Sequence, residues 1–117
     1  LSLRLASGEM ISAQAPWAFV EVNKLEVSSL VCVLIESEAV SVSKSFTKEI
    51  SSRNKLKTRV KELVIRGEDV LLKLVLAEDE VLTAQITLKS FKDLNIKKED
   101  ELLALFKAYS ITLLNRE

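Results

Sequence analysis

Leu72-Lys-Leu-Val-Leu-Ala-Glu-Asp-Glu-Val-Leu-Thr-Ala-Gln85 has a counterpart at Leu1-Ser-Leu-Arg-Leu-Ala-Ser-Gly-Glu-Met-Ile-Ser-Ala-Gln14. Laid together without a gap, so that Leu1 falls on Leu72 at an offset of 71, the two agree at Leu1, Leu3, Leu5, Ala6, Glu9, Ala13 and Gln14. The same offset carries Val31-Cys-Val-Leu-Ile-Glu-Ser-Glu-Ala-Val-Ser-Val42 onto Leu102-Leu-Ala-Leu-Phe-Lys-Ala-Tyr-Ser-Ile-Thr-Leu113, where apolar positions coincide more than identities do. Self-similarity at one fixed period means one structural unit used twice.

Inside each copy the apolar pattern has period two, as in Leu1/Leu3/Leu5, Leu56/Thr58/Val60, Val70/Leu72/Leu74/Leu76 and Leu103/Leu105. That spacing predicts half-buried strands, because successive side chains of a strand point to opposite faces. Gly8, Arg66-Gly67-Glu68-Asp69, Glu78-Asp79-Glu80 and Lys98-Glu99-Asp100 mark turns. Ser90-Phe-Lys-Asp-Leu94 has helical spacing, with Thr87 or Ser90 able to cap one turn. The expected fold is all-β: two small OB-like β-barrels, each with one short helical turn. The first module takes residues 1–46 and the second 47–117, and the short polar link Ser43-Lys-Ser-Phe-Thr-Lys-Glu-Ile50 should keep them closely packed. The second copy starts near Ser51, and the offset carries that start upstream of Leu1. The first copy is therefore expected to be truncated, and a further segment is expected in front.

The 117 residues are 48% apolar and 29% charged, the composition of an ordered globular chain. Seventeen basic residues balance seventeen acidic ones, so no bulk field draws the chain to nucleic acid or an anionic membrane, and any anion site has to be local. The sequence has no histidine, which removes the commonest general base, the triads built on it and most catalytic zinc sites. Gly8 and Gly67 are the only glycines, so no Gly-rich phosphate loop exists, and we expect neither catalysis nor a metal site here. Turns and wet faces account for the acidic pairs Glu36/Glu38 and Glu78/Glu80. Cys32, alone and inside the apolar run of residues 30–35, is expected to be a buried, inert thiol. That run is far shorter than the roughly twenty residues a membrane helix needs. The chain reads as soluble and cytoplasmic, without membrane insertion.

Three elements of the second copy could carry a function: Ser51-Ser-Arg53-Asn54 before a strand, Ile86-Thr87-Leu88-Lys89-Ser90 at the helical turn, and Phe106-Lys107-Ala108 leaving a strand. Arg53 and Lys107 supply charge, Thr87 and Ser90 supply short hydroxyl donors, and that inventory suits a tetrahedral oxyanion. The bland alternative is capping by Ser and Thr and solvation of the cations. A rival function, nucleic-acid binding, rests on Arg53, Lys55, Lys57, Arg59 and Lys61, which a strand would place on one face. Only six aromatic residues exist and none interleaves with that row, so stacking platforms are missing. We read the row as a solvated strand face that also deters edge pairing.

In order and spacing, Ser51-x-Arg53-Asn54, Ile86-Thr87-x-x-Ser90 and Phe106-Lys107-Ala108 resemble the molybdenum-pterin-binding (Mop) or TOBE domain family. The resemblance covers the whole second copy. It implies molybdate or tungstate as the bound ligand, held at interfaces between modules or subunits. Ser51, Arg53, Asn54, Thr87, Ser90 and Lys107, with amides near Ala108, would form the site. The tandem arrangement is most similar to the C-terminal regulatory part of a molybdate importer's ATP-binding subunit. That setting implies a homodimer, an upstream ATPase domain and a membrane permease as partners. A transcription regulator's sensing module and a free-standing molybdate store share the tandem, and the segment ahead of Leu1 would separate the three. The first copy departs from the pattern: Pro16 stands opposite Thr87, Phe19 opposite Ser90 and Glu36 opposite Lys107. A carboxylate repels an oxyanion at close range. The first copy is thus expected to be structural, packing through Trp17, Phe19 and Val20, with second-copy residues meeting across a homodimer.

Overall fold

The offset that aligns the two sequence copies also aligns their structural elements. The computed structural model describes residues 1–14, 17–22, 26, 30–46, 50–77 and 80–115. In the first repeat β1 (Ser2–Arg4), β2 (Met10–Ser12), α1 (Trp17–Val22), β3 (Val31–Ile35), a 3₁₀ turn (Ser37–Ala39) and β4 (Ser41–Ser43) follow one another. The second repeat runs β5 (Asn54–Arg66), β6 (Asp69–Val75), β7 (Val81–Thr87), α2 (Leu88–Asp93), β8 (Glu101–Phe106), a 3₁₀ turn (Ala108–Ser110) and β9 (Ile111–Asn115). Adding 71 to either end of α1 gives α2, and the two 3₁₀ turns superpose in the same way. Hydrogen bonds repeat too. Leu5 N–H donates to Glu9 O and Leu76 N–H to Glu80 O, both at 2.9 Å. Ala39 N–H donates to Glu36 O at 3.0 Å, and Ser110 N–H to Lys107 O at 2.9 Å.

The repeats exchange their last strands. β4 of the first pairs antiparallel with β8 of the second, Val42 opposite Ala104, while β9 of the second pairs with β3 of the first, Val33 opposite Leu113. These two registers are images of each other under the offset. The five-stranded sheet has the order β4-β8-β5-β6-β7, and β1-β2 and β3-β9 form two-stranded ribbons. The large sheet curls until its edge strand β7 returns to the first 3₁₀ turn and to β4. The result is the all-β, OB-like architecture expected from the period-two patterning.

Strand β5 is the spine of that sheet. Asn54, Leu56, Thr58 and Val60 point inward while Lys57, Arg59 and Lys61 point out. Its first half pairs with β8 and its second half with β6, with a bulge between Val60 and Glu62. The β5–β6 loop is the two residues Gly67 and Glu68, and Gly67 takes φ +60°. A hairpin this tight needs positive φ at its first central position, which glycine adopts without strain.

Both cores mix the repeats. Val60, Val70, Leu72, Leu74, Ala84, Ile96, Leu102 and Ala104 close around Val40 of the first repeat. Leu56, Leu76, Phe106, Ile111 and Leu113 of the second repeat pack with Ile11 and Ala13 of the first. Each fully buried Leu or Phe contributes about 1.5–3 kcal/mol relative to an exposed one, so much of the burial energy depends on both repeats being folded together.

Two expectations need correction. Cys32 is exposed. The run around it is apolar on both faces, but β3 is covered on one face only, and Cys32, Leu34 and Leu114 face outward. Lys55 and Lys57 of the cation row stand on the stretch of β5 that pairs with β8 alone, and pairing with β6 begins at Arg59. Helix α2 begins at Leu88 rather than Ser90, since Thr87 caps it, and α1 is the helical turn expected in the first repeat. Of the proposed first-repeat packing residues, Phe19 is half-buried against the second core and Val20 is half-buried. Pro16 and the Trp17 side chain lie outside the described residues.

Candidate functional site

Asn54 opens β5 and is almost fully buried. Its Oδ1 accepts the Ser12 N–H at 2.7 Å and its Nδ2 donates to the Ser12 carbonyl at 2.8 Å. One side-chain amide thus replaces a neighbouring strand along the edge of β2 and ties the repeats together. The residue before it, Arg53, is exposed. Arg53 and Ala108 line a polar cavity of about 400 Å³ together with Leu1, Ser2, Ser12, Ala13 and Gln14 of the first repeat. The Gln14 N–H donates to the Ala108 carbonyl at 3.1 Å, which fixes the second 3₁₀ turn against the first repeat at this seam. Lys107, exposed on the approach to that turn, holds its Nζ 5.7 Å from the Tyr109 ring centroid. Ser51 is exposed in the bend leading to β5.

The hydroxyl pair is built at the end of β7. Thr87 Oγ1 accepts the Ser90 N–H at 3.1 Å and donates to Ser90 Oγ at 3.0 Å. This caps α2 by satisfying one of the amide donors that a helix start leaves orphaned. The chain of hydroxyls leaves the Ser90 hydrogen for an outside acceptor. The adjacent Leu88 N–H is engaged by the Glu68 carbonyl at 2.8 Å.

The sequence-proposed residues therefore fall at two seams. Arg53 and Ala108, with Lys107 beside them, lie where the second 3₁₀ turn meets Gln14. Thr87 ends β7, the strand that lies against the first 3₁₀ turn next to Glu36 in sequence, and Ser90 follows in the first turn of α2. Sequence reading missed Ser12 and Gln14 as lining groups. The signal for Gln14 was present, because Ala13-Gln14 and Ala84-Gln85 are identical pairs in the two copies.

Two further members of the cation row, Lys57 and Arg59, have other partners. Arg59 Nη2 pairs with Glu101 Oε1 at 3.1 Å, and Lys57 Nζ lies 6.0 Å from the Phe46 ring centroid. The 480 Å³ groove they line also contains Glu99 and Glu101, so its charge is mixed. Among the described residues no three His, Cys, Asp or Glu side chains gather as metal ligands, and no helix is long and apolar enough to cross a membrane.

A family model for the TOBE domain matches residues 50–113, more than half of the chain and nearly all of the second repeat. The chain belongs to the TOBE domain family. Among solved structures, the cytoplasmic molybdate-binding protein ModG, in a crystal form with molybdate bound, superposes on this TOBE chain with a TM-score of 0.93 at 19% sequence identity. The superposition covers 98% of this chain and 82% of ModG. At that identity the likeness is one of fold, and it extends over both repeats. A search of curated protein sequences returned no match.

Proposed function

We propose that this TOBE chain binds molybdate or tungstate and performs no chemistry on it. The observation that carries the reading is the convergence of Arg53 and Ala108 on one polar cavity at the seam between the repeats. Arg53 and Lys107 would neutralise the oxyanion, and Ser51, Thr87 and Ser90 would donate hydroxyl hydrogen bonds, which are short and strong when the acceptor is charged. Asn54 contributes by holding Ser12 at the cavity wall. The fold shared with ModG, a protein that binds molybdate in the cytoplasm, supports the ligand class and a cytoplasmic setting.

Within one chain the cations and the hydroxyls of the second repeat stand at different seams. The first repeat cannot complete either set, since Phe19 replaces the Ser90 hydroxyl and Glu36 replaces the Lys107 ammonium. A homodimer in which second repeats face each other would unite Arg53 and Lys107 of one chain with Thr87 and Ser90 of the other. We assign the pair of modules, residues 1–46 and 47–117, to the C-terminal regulatory part of a molybdate importer's ATP-binding subunit. Accumulated oxyanion would there favour one dimer arrangement and slow import through the permease, which requires different affinities for the two arrangements. Sedimentation of the chain with and without molybdate tests the dimeric site: a shift toward dimer with molybdate, absent with sulfate, is expected. A chain that binds molybdate one to one while remaining monomeric would overturn the shared site.

A further inference from the structure

Beyond the bulge between Val60 and Glu62, the parity of β5 changes and different residues face the core. Leu63 and Ile65 now pair with Leu72 and Val70, both core residues. Glu62, Val64 and Arg66 therefore stand on the outer face with their partners Lys73, Leu71 and Asp69, because residues directly opposite on an antiparallel pair share a face. At the centre of that face Val64 is 46% exposed and Leu71 is half-buried. The four charged residues around them are exposed, and among the described residues none of the four makes an ion pair within the chain. Gln85 of β7, opposite Leu71, continues the face with an uncharged side chain.

We propose that the outer face of the β5–β6 hairpin is a docking surface whose occupant is the same face of a second copy of this chain. The pattern of charge selects that occupant. Along β5 a negative Glu62 and a positive Arg66 flank Val64, and along β6 a negative Asp69 and a positive Lys73 flank Leu71. Glu62 lies opposite Lys73 and Arg66 opposite Asp69, so the signs form a checkerboard around the apolar pair. Two identical faces meet about a two-fold axis that lies in the plane of contact. An axis along the strands sets Glu62 on the partner's Lys73 and Arg66 on the partner's Asp69. An axis across the strands sets Glu62 on the partner's Arg66 and Asp69 on the partner's Lys73. Opposite charges meet in both cases, with Val64 and Leu71 covering their own kind at the centre, and complementary charge of this sort fixes partner and register. The patch is smaller than the roughly 800 Å² per partner of a stable complex, so the contact is a weak one. It needs no oxyanion and does not rest on the oxyanion reading.

Sedimentation equilibrium of the whole chain in low-salt buffer free of molybdate, over a series reaching millimolar concentration, tests the proposal. A monomer–dimer equilibrium is expected, weakened at least tenfold by V64D and by E62K, since E62K sets like charges against each other about either axis. Charge exchange supplies the rescue. Adding K73E to E62K restores the dimer if the axis runs along the strands, and adding R66E restores it if the axis runs across them; one of the two is expected to do so. Every substituted side chain is exposed, and thermal melts followed by circular dichroism verify that each variant is folded. A chain that stays monomeric throughout, a dimer indifferent to both V64D and E62K, or rescue by neither double variant would overturn the proposal. Because no oxyanion is present, none of these outcomes bears on molybdate binding, which calorimetry reads separately.

Discussion

Asn54 and Ser12, 42 residues apart, are joined by two hydrogen bonds, one accepted from the Ser12 N–H and one donated to the Ser12 carbonyl, at 2.7 and 2.8 Å. Replacing Asn54 by Ala leaves both Ser12 backbone groups without this partner. At about 1 kcal/mol per hydrogen bond, with more for a group left unsatisfied, the loss should be about 2–3 kcal/mol. Asn54→Asp keeps the acceptor, loses the donor and buries a carboxylate, so it should be no better than Ala at neutral pH. Urea unfolding of the two variants checks this, and an unchanged midpoint in Asn54→Ala would show that the repeats are held together elsewhere.

Equivalent leucines of the two repeats should respond unequally to truncation. Leu74 is fully buried and Leu74→Ala should cost about 2–5 kcal/mol, the range for emptying a closed core site. Leu3 occupies the same position in the first repeat but is half-buried, so Leu3→Ala should cost less than about 1.5 kcal/mol. Equal losses would mean that the first repeat is as closed in solution as the second.

Thr87 should matter for stability and for binding separately. Thr87→Val removes the cap on Ser90 N–H and should cost about 0.5–2 kcal/mol. Thr87→Ser keeps the hydroxyl and should restore most of it. In an anion titration Val should weaken binding and Ser should preserve it; binding kept by Val and weakened by Ser would point to the methyl group rather than the hydroxyl.

Beyond the C-cap of α2, Leu94, stands Asn95 with φ +51°, its N–H on the Lys92 carbonyl at 3.0 Å and the next N–H, of Ile96, on the Phe91 carbonyl at 3.3 Å. This is a Schellman closure with Asn in the left-handed position. Asn95→Ala should cost about 1 kcal/mol, because Ala keeps the Cβ but lacks the short polar side chain that offsets the left-handed conformation, and Asn95→Gly should be neutral or slightly stabilising. Thermal melts of the two variants should fall on opposite sides of, or bracket, the parent value.

What could be read from the sequence is what depends on local periodicity. Leu72/Leu74/Leu76 and Leu1/Leu3/Leu5 marked strands, Gly67 marked a tight turn, and Ser90–Leu94 with a cap at Thr87 marked a helical turn, expected once in each module; the two 3₁₀ turns carried no local signal that was read. The strand exchange could not be read, because Val42 and Leu113 have the same pattern in their copies and nothing local tells either strand whose sheet to join. Cys32 went wrong for a related reason: Val31-Cys-Val-Leu-Ile35 is apolar on both faces, and its outer face is left uncovered only by the tertiary arrangement. Within the site, the chemistry of Arg53, Lys107, Thr87 and Ser90 was legible as charge and hydroxyl. The bond from Asn54 to Ser12 and the division of the set between two seams arise from contacts more than forty residues apart in sequence.

The central claim is oxyanion binding by second-repeat residues, and calorimetric titration of the purified chain with molybdate tests it most directly, with sulfate as control anion and Lys107→Ala and Arg53→Ala as control proteins. Tight molybdate binding, weak sulfate binding and a loss of at least tenfold in each variant are expected, the cost of removing one charge-assisted contact being about 1.5–3 kcal/mol. Absence of molybdate binding by the folded chain, or binding untouched by either substitution, would contradict the account.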